Sequence, residues 1–191
     1  MTWAALGLTC RFTIVIVFAA SAFSKTRSRA ALRAFMASTE AMTALGPRPA
    51  EVVASAVLGC EVAVVALVAI PSQLSARTGF ILALLLLVAF EAAIAATIRR
   101  GVAVSCRCFG NSDSAVGRKE AGRNLLLIGL AAGGLLTAAH AVPNVPAVDW
   151  TIAVCVAVAI AAVLVNFDDL TWLLGEASLG GASAHSSVAL R

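Results

Sequence analysis

The chain has no tyrosine, only 6% aromatic residues and only 13% charged residues. So little charge excludes an ordinary water-exposed surface over most of the molecule. Fourteen Lys and Arg against ten Asp and Glu leave a net charge of +4, but the cations form no stripe interleaved with aromatics. That pattern argues against nucleic acid as a partner. The cysteines, Cys10, Cys60, Cys106, Cys108 and Cys155, are odd in number and include one close pair, which excludes the paired framework of a small secreted protein. No internal repeat is visible, and repeats are common in secondary transporters.

What fills the chain instead is apolar: 61% of residues are hydrophobic and the mean hydropathy is +0.97. Taking about 20 apolar residues as enough to cross the hydrocarbon of a bilayer, five spans are expected at about 3–24, 50–70, 78–98, 124–142 and 148–167. No Asp, Glu, Lys or Arg occurs from Asn124 to Val148 or from Trp150 to Phe167. Pro143, Pro146 and Asp149 mark the turn between those two spans. Backbone polar groups must be paired internally in lipid, and continuous apolar runs without alternation exclude a barrel. The expected fold is an all-α integral membrane protein, a four- to five-helix bundle in the lipid bilayer. Residues 1–177 form one domain in this reading, followed by a flexible tail at 178–191.

Arg11 followed by the run Phe12–Ala20 and the small residues Ala19–Ala22 also has the look of a signal peptide. The uncut reading is preferred because the next segment, Ser28–Leu45, has Ala31, Leu32, Phe35 and Met36 at helical spacing beside Arg29, Arg33 and Glu40, the pattern of an amphipathic helix lying on the surface. Eleven of the fourteen cations fall in two loops, 25–49 and 99–123, whereas the opposite loops hold only Arg77. The positive-inside rule then puts both basic loops on the cytoplasmic side and the N-terminus outside.

Two constellations carry chemistry. The first is Cys106-Arg107-Cys108-Phe109-Gly110, in the second basic loop. A disulfide between cysteines one residue apart closes a small strained ring, which favours an oxidising couple. Arg107 between the thiols favours the attacking thiolate. Chance proximity of two small residues and half of a metal site remain alternatives, although a zinc site needs three or four ligands and this loop has no further Cys or His. No metal is therefore expected. The second constellation is intramembrane charge: Arg11, Glu61 and Glu91 sit inside expected spans, where an ionisable group faces the bundle interior and marks a site or an ion pair. Arg11 is expected to pair with Glu61 or Glu91. His140 is a weaker feature that could face a membrane quinone or a proton path, and Gly129-x-x-x-Gly133 permits close helix contact.

Taken together, Arg11 with Ser21-Ala-Phe-Ser-Lys25, Pro47 and Pro49 ahead of the span carrying Glu61, Cys106-x-Cys108-Phe109-Gly110, and Arg123-Asn124 opening the next span resemble the MauE family (methylamine utilisation), part of the broader DoxX/DoxD-like group. The resemblance covers about residues 8–145, with Arg107 standing where the family often has glycine. It implies a thiol–disulfide redox role in maturing an exported, disulfide-rich subunit, of which an amine dehydrogenase subunit is the familiar case. It also implies a thioredoxin-like partner and a bacterial inner membrane location. Cys106, Cys108 and Arg107 would then be catalytic, while Arg11, Glu61, Glu91, Arg123 and Asn124 form the polar interior. A membrane quinone is a candidate electron acceptor. The opposing reading is a non-enzymatic scaffold or small-solute transporter. Cytoplasmic thiols serving an exported partner leave three routes open: electron passage through Cys10 or Cys60, a cytoplasmic partner, or an orientation fixed by Arg11.

Overall fold

A computed structural model describes residues 3–101, 117–138 and 146–167. They form six helices: α1 Trp3–Thr26, α2 Arg29–Thr43, α3 Pro47–Ala69, α4 Gln73–Arg100, α5 Arg118–Thr137 and α6 Ala147–Val165. Cys106, Arg107, Cys108, His140 and the segment expected to be a tail lie outside the described residues.

The apolar runs have become the long helices, with ends set by local chemistry. α3 starts three residues ahead of its apolar run because Pro47 and Pro49 occupy its first turn, where a missing N–H is harmless. α4 ends at Gly101, whose left-handed φ of 65° suits glycine. α5 begins at Arg118, before the run expected from Asn124, because Glu120 Oε2 accepts a hydrogen bond of 2.7 Å from Gly117 N and holds the first turn. That early start gives α5 a polar opening, and among the described residues the helices long and apolar enough to cross a membrane are α1, α3, α4 and α6.

The expected amphipathic helix is α2. Ser28 caps it, its Oγ accepting from Ala31 N at 3.0 Å, and it turns Phe35 and Met42 inward. It lies against α1, α3 and α4. Its last turn is tied to α4 by the Arg100 guanidinium, which donates to the Met42 carbonyl. Cations at a helix C-terminus satisfy carbonyls left without intrahelical donors.

α1 touches α2, α3, α5 and α6, so the core is assembled around it from Ile14, Val17 and Phe18 with Val64, Val68, Phe80, Leu87 and Leu127. Lengthwise neighbours run antiparallel: Ser75 Oγ of α4 donates to Leu67 O of α3 at 2.8 Å, and Arg77 Nε reaches Ala138 O beyond the end of α5 at 3.2 Å. α6 lies along α1 on Ala153, Ala157 and Ala161, a stripe of small residues that lets two helices approach closely in lipid. Phe12 and Trp150 meet edge to face there, 5.7 Å apart. The close glycine contact is Gly134 against the Phe80 ring, whereas Gly129 has open space around it. The Gly129-x-x-x-Gly133 pattern therefore marks the right stretch of α5 but not the glycine that is needed. Leu85, Val88, Leu125, Val148 and Val158 are exposed on the outside, as lipid-facing side chains should be.

Candidate functional site

The polar interior is gathered between the last turns of α1, the second halves of α3 and α4 and the first turns of α5. Glu61, 7% exposed on α3, receives two hydrogen bonds on Oε1: from Lys25 Nζ at 2.5 Å and from Ser21 Oγ at 3.0 Å. Lys25 Nζ also donates to Ser21 Oγ at 2.6 Å and lies 4.9 Å from the Phe35 ring centre, a cation–π distance. Glu61 Oε2 is buried with no hydrogen-bond partner. On the facing helices, Asn124 Nδ2 donates to Glu91 Oε2 at 2.8 Å and to Leu87 O at 2.9 Å. Arg123 beside it is 5% exposed. A cavity of about 230 Å³ runs between these groups, roofed by Phe35 and Met42 of α2 and otherwise lined by apolar side chains such as Phe90 and Leu127.

The expected pairing of Arg11 with Glu61 or Glu91 is corrected. Arg11 lies near the other end of α1 and donates from Nε to Val68 O at 2.6 Å and from Nη2 to Ile70 O, capping α3 at its C-terminus. With a rise of about 1.5 Å per residue, Arg11 and Lys25 are roughly 21 Å apart along α1. Because α3 runs antiparallel, Glu61 comes opposite Ser21 and Lys25. Glu91 takes a neutral amide instead of a cation. Glu61, Arg123 and Asn124 are thus brought to one cavity with Glu91 immediately behind Asn124, and Arg11 is not.

Lys25 is the residue that sequence reasoning missed. It was counted as a loop cation, yet it is 2% exposed and ion-paired. The signal was its phase: Ile14, Val17, Phe18, Ser21 and Lys25 continue one buried face of α1 at the i, i+3, i+4 spacing of a helix. Arg123 also moves from loop to interior, and the remaining basic residues of the two loops still outnumber Arg77 on the opposite side.

The family comparison addresses this same unit. The model described as "Methylamine utilisation protein MauE" matches residues 3–137, the first residue of α1 through the last of α5. The chain belongs to the MauE family. The match ends before α6, so the MauE portion contains every residue of the polar cavity, and the Cys106-x-Cys108 pair falls inside it. No curated protein and no solved structure matches the chain. With its family and its apolar helices, this MauE protein is a multi-pass membrane protein.

Proposed function

We propose that this MauE protein is a bacterial inner-membrane thiol–disulfide oxidoreductase, with Cys106 and Cys108 as its redox couple and Arg107 favouring the thiolate. The observation that carries the reading is topological. The segment with both cysteines joins Gly101, after α4, to Gly117, before α5, and the buried polar cavity lies between the halves of these two helices nearer that segment, lined by Leu87 and Ala93 of α4 and by Arg123 and Asn124 of α5. In exchange, a thiolate of the reduced partner attacks the Cys106–Cys108 disulfide, one of these cysteines leaves as thiolate, and the partner's second Cys resolves the mixed disulfide, so that the partner gains the disulfide and Cys106 and Cys108 are left as the dithiol. A thioredoxin-like protein is the partner whose chemistry fits that step. Maturation of an exported, disulfide-rich subunit, the role that the family resemblance implies, is the process it would serve, within the methylamine utilisation that the family description names.

In a glutathione titration of the detergent-solubilised protein, Cys106 and Cys108 are expected to pass together from alkylatable to protected, as one two-electron step. Cys106→Ser should leave Cys108 alkylatable at every poise and remove that step. Persistent alkylation of both thiols under oxidising buffer would sink the redox reading and return the scaffold or transporter reading to first place.

The orientation proposed from the loop cations is tested in spheroplasts. A membrane-impermeant maleimide should leave reduced Cys106 and Cys108 unlabelled until the membrane is permeabilised. A cysteine introduced by Ser72→Cys, exposed at the opposite end ahead of α4, should react at once. The reverse labelling pattern would put the thiols outside and make direct exchange with an exported partner the mechanism.

A further inference from the structure

We propose that the cavity between α1, α2, α3, α4 and α5 is a binding site for a quinol, with Glu61 Oε2 accepting the hydrogen bond of a ring hydroxyl.

Glu61 lines the cavity and is more than nine-tenths buried, yet among the described residues only one of its two carboxylate oxygens has a partner. An unpartnered buried acceptor at membrane depth is expensive and calls for a donor that the described residues do not supply. A cationic donor is disfavoured, since Lys25 and Arg123 already border the same space. An anion has nothing to offer a carboxylate oxygen. What remains is a neutral molecule with an O–H or N–H group. Its body must be apolar, because Val17, Phe18, Phe35, Met42, Val57 and Phe90 form the walls. It must also be compact: a cavity of about 150 Å³ holds benzene, so about 230 Å³ holds a substituted aromatic ring. Ala89 lines the cavity and is exposed, so the cavity opens beside α4, where a lipid-soluble ligand has a way in.

A phenolic hydroxyl is a stronger donor than an aliphatic one and comes attached to a ring of the right size. The choice of a quinol among such phenols rests on the thiol–disulfide function proposed above. Oxidising a Cys dithiol breaks two S–H bonds, forms one S–S bond and releases two electrons and two protons. A quinone takes up both, its two carbonyl oxygens becoming the hydroxyls of the quinol. The product is then the form that Glu61 Oε2 recognises, while the quinone lacks the donor.

The test separates the site from the thiol chemistry by using the Cys106→Ser/Cys108→Ser protein in nanodiscs, without oxygen, with binding corrected for empty nanodiscs. The probes are trimethylhydroquinone and its dimethyl ether, which fits a similar space but cannot donate. The hydroquinone should bind at least about tenfold more tightly than the ether, the size expected of a hydrogen bond to a charged group. Glu61→Gln should reduce that preference below about threefold. Val57→Phe leaves the ion pair untouched and fills the cavity, so it should weaken both probes. It also guards against a folding defect in the Glu61 variant. Equal binding of the two probes, a preference that survives Glu61→Gln, binding indifferent to Val57→Phe, or no signal above empty nanodiscs each overturns the proposal. Failure of the glutathione titration with these binding results intact would remove the redox function and leave a phenol-binding site.

Discussion

Glu61→Ala is expected to lower the stability of the bundle by about 3 kcal/mol, because it leaves the Lys25 ammonium buried without its counter-charge. The attraction between the pair is only part of this figure. Most of it is the cost of keeping a lone cation, 2% exposed, away from water, and Ser21 Oγ alone cannot offset that. Removing both charges with Lys25→Met and Glu61→Leu should therefore recover much of the loss. The measurement is a double-mutant cycle by reversible unfolding in mixed detergent micelles. Strictly additive losses would show that the two side chains do not share one energetic unit. An Arg11→Leu change combined with Glu61→Ala should be additive, since Arg11 serves α3's last carbonyls instead.

Gly134→Ala should be nearly as damaging, by about 2 kcal/mol, through overpacking. A Cβ at this position would lie 2.3 Å from Phe80 Cε1 and 2.4 Å from Cζ. Phe80 is 2% exposed, and on its own helix the neighbouring Gly79 sits with Val68 Cγ2 only 2.6 Å from where its own Cβ would be. The backbone of α4 is thus held close to α3, and the ring must shift toward the cavity of about 690 Å³ that it borders with Phe12 and Trp150. Phe80→Leu in the same chain should relieve the clash, so the combined variant unfolds later than Gly134→Ala alone. If Gly134→Ala proves neutral, α4 and α5 are not packed through this pair.

These two sites show what could be read in advance and what could not. The long helices were legible because uninterrupted apolar runs have few alternatives in lipid, and α2 was legible because Phe35 recurs in phase with its apolar neighbours beside Arg29 and Arg33. The buried position of Glu61 was legible from its charge alone. Its partner was not, since Lys25 ends an apolar run and looks there like an interfacial anchor, and only the antiparallel placement of α3 brings it opposite Glu61. Arg11 was misassigned for a different reason: its partners are the carbonyls of Val68 and Ile70, and backbone acceptors exposed by a helix end have no signature in the side-chain sequence. Steric complementarity was equally hidden, for the hole at Gly134 takes its meaning from a ring on another helix. The unpartnered oxygen in the cavity, Glu61 Oε2, is a feature that no residue count displays.

The contact between α1 and α6 has a consequence for the order of assembly. α1 packs along α6, on the alanine stripe of Ala153, Ala157 and Ala161, although four helices lie between them in the sequence. α2 through α5 can settle on one side of α1 as each appears, but the flank meant for α6 stays covered by lipid until α6 has been inserted. Contacts so distant in sequence form late. Closure of this face therefore waits for α6, and a chain cut short after α5 keeps the polar cavity's residues while leaving α1 bare on one side.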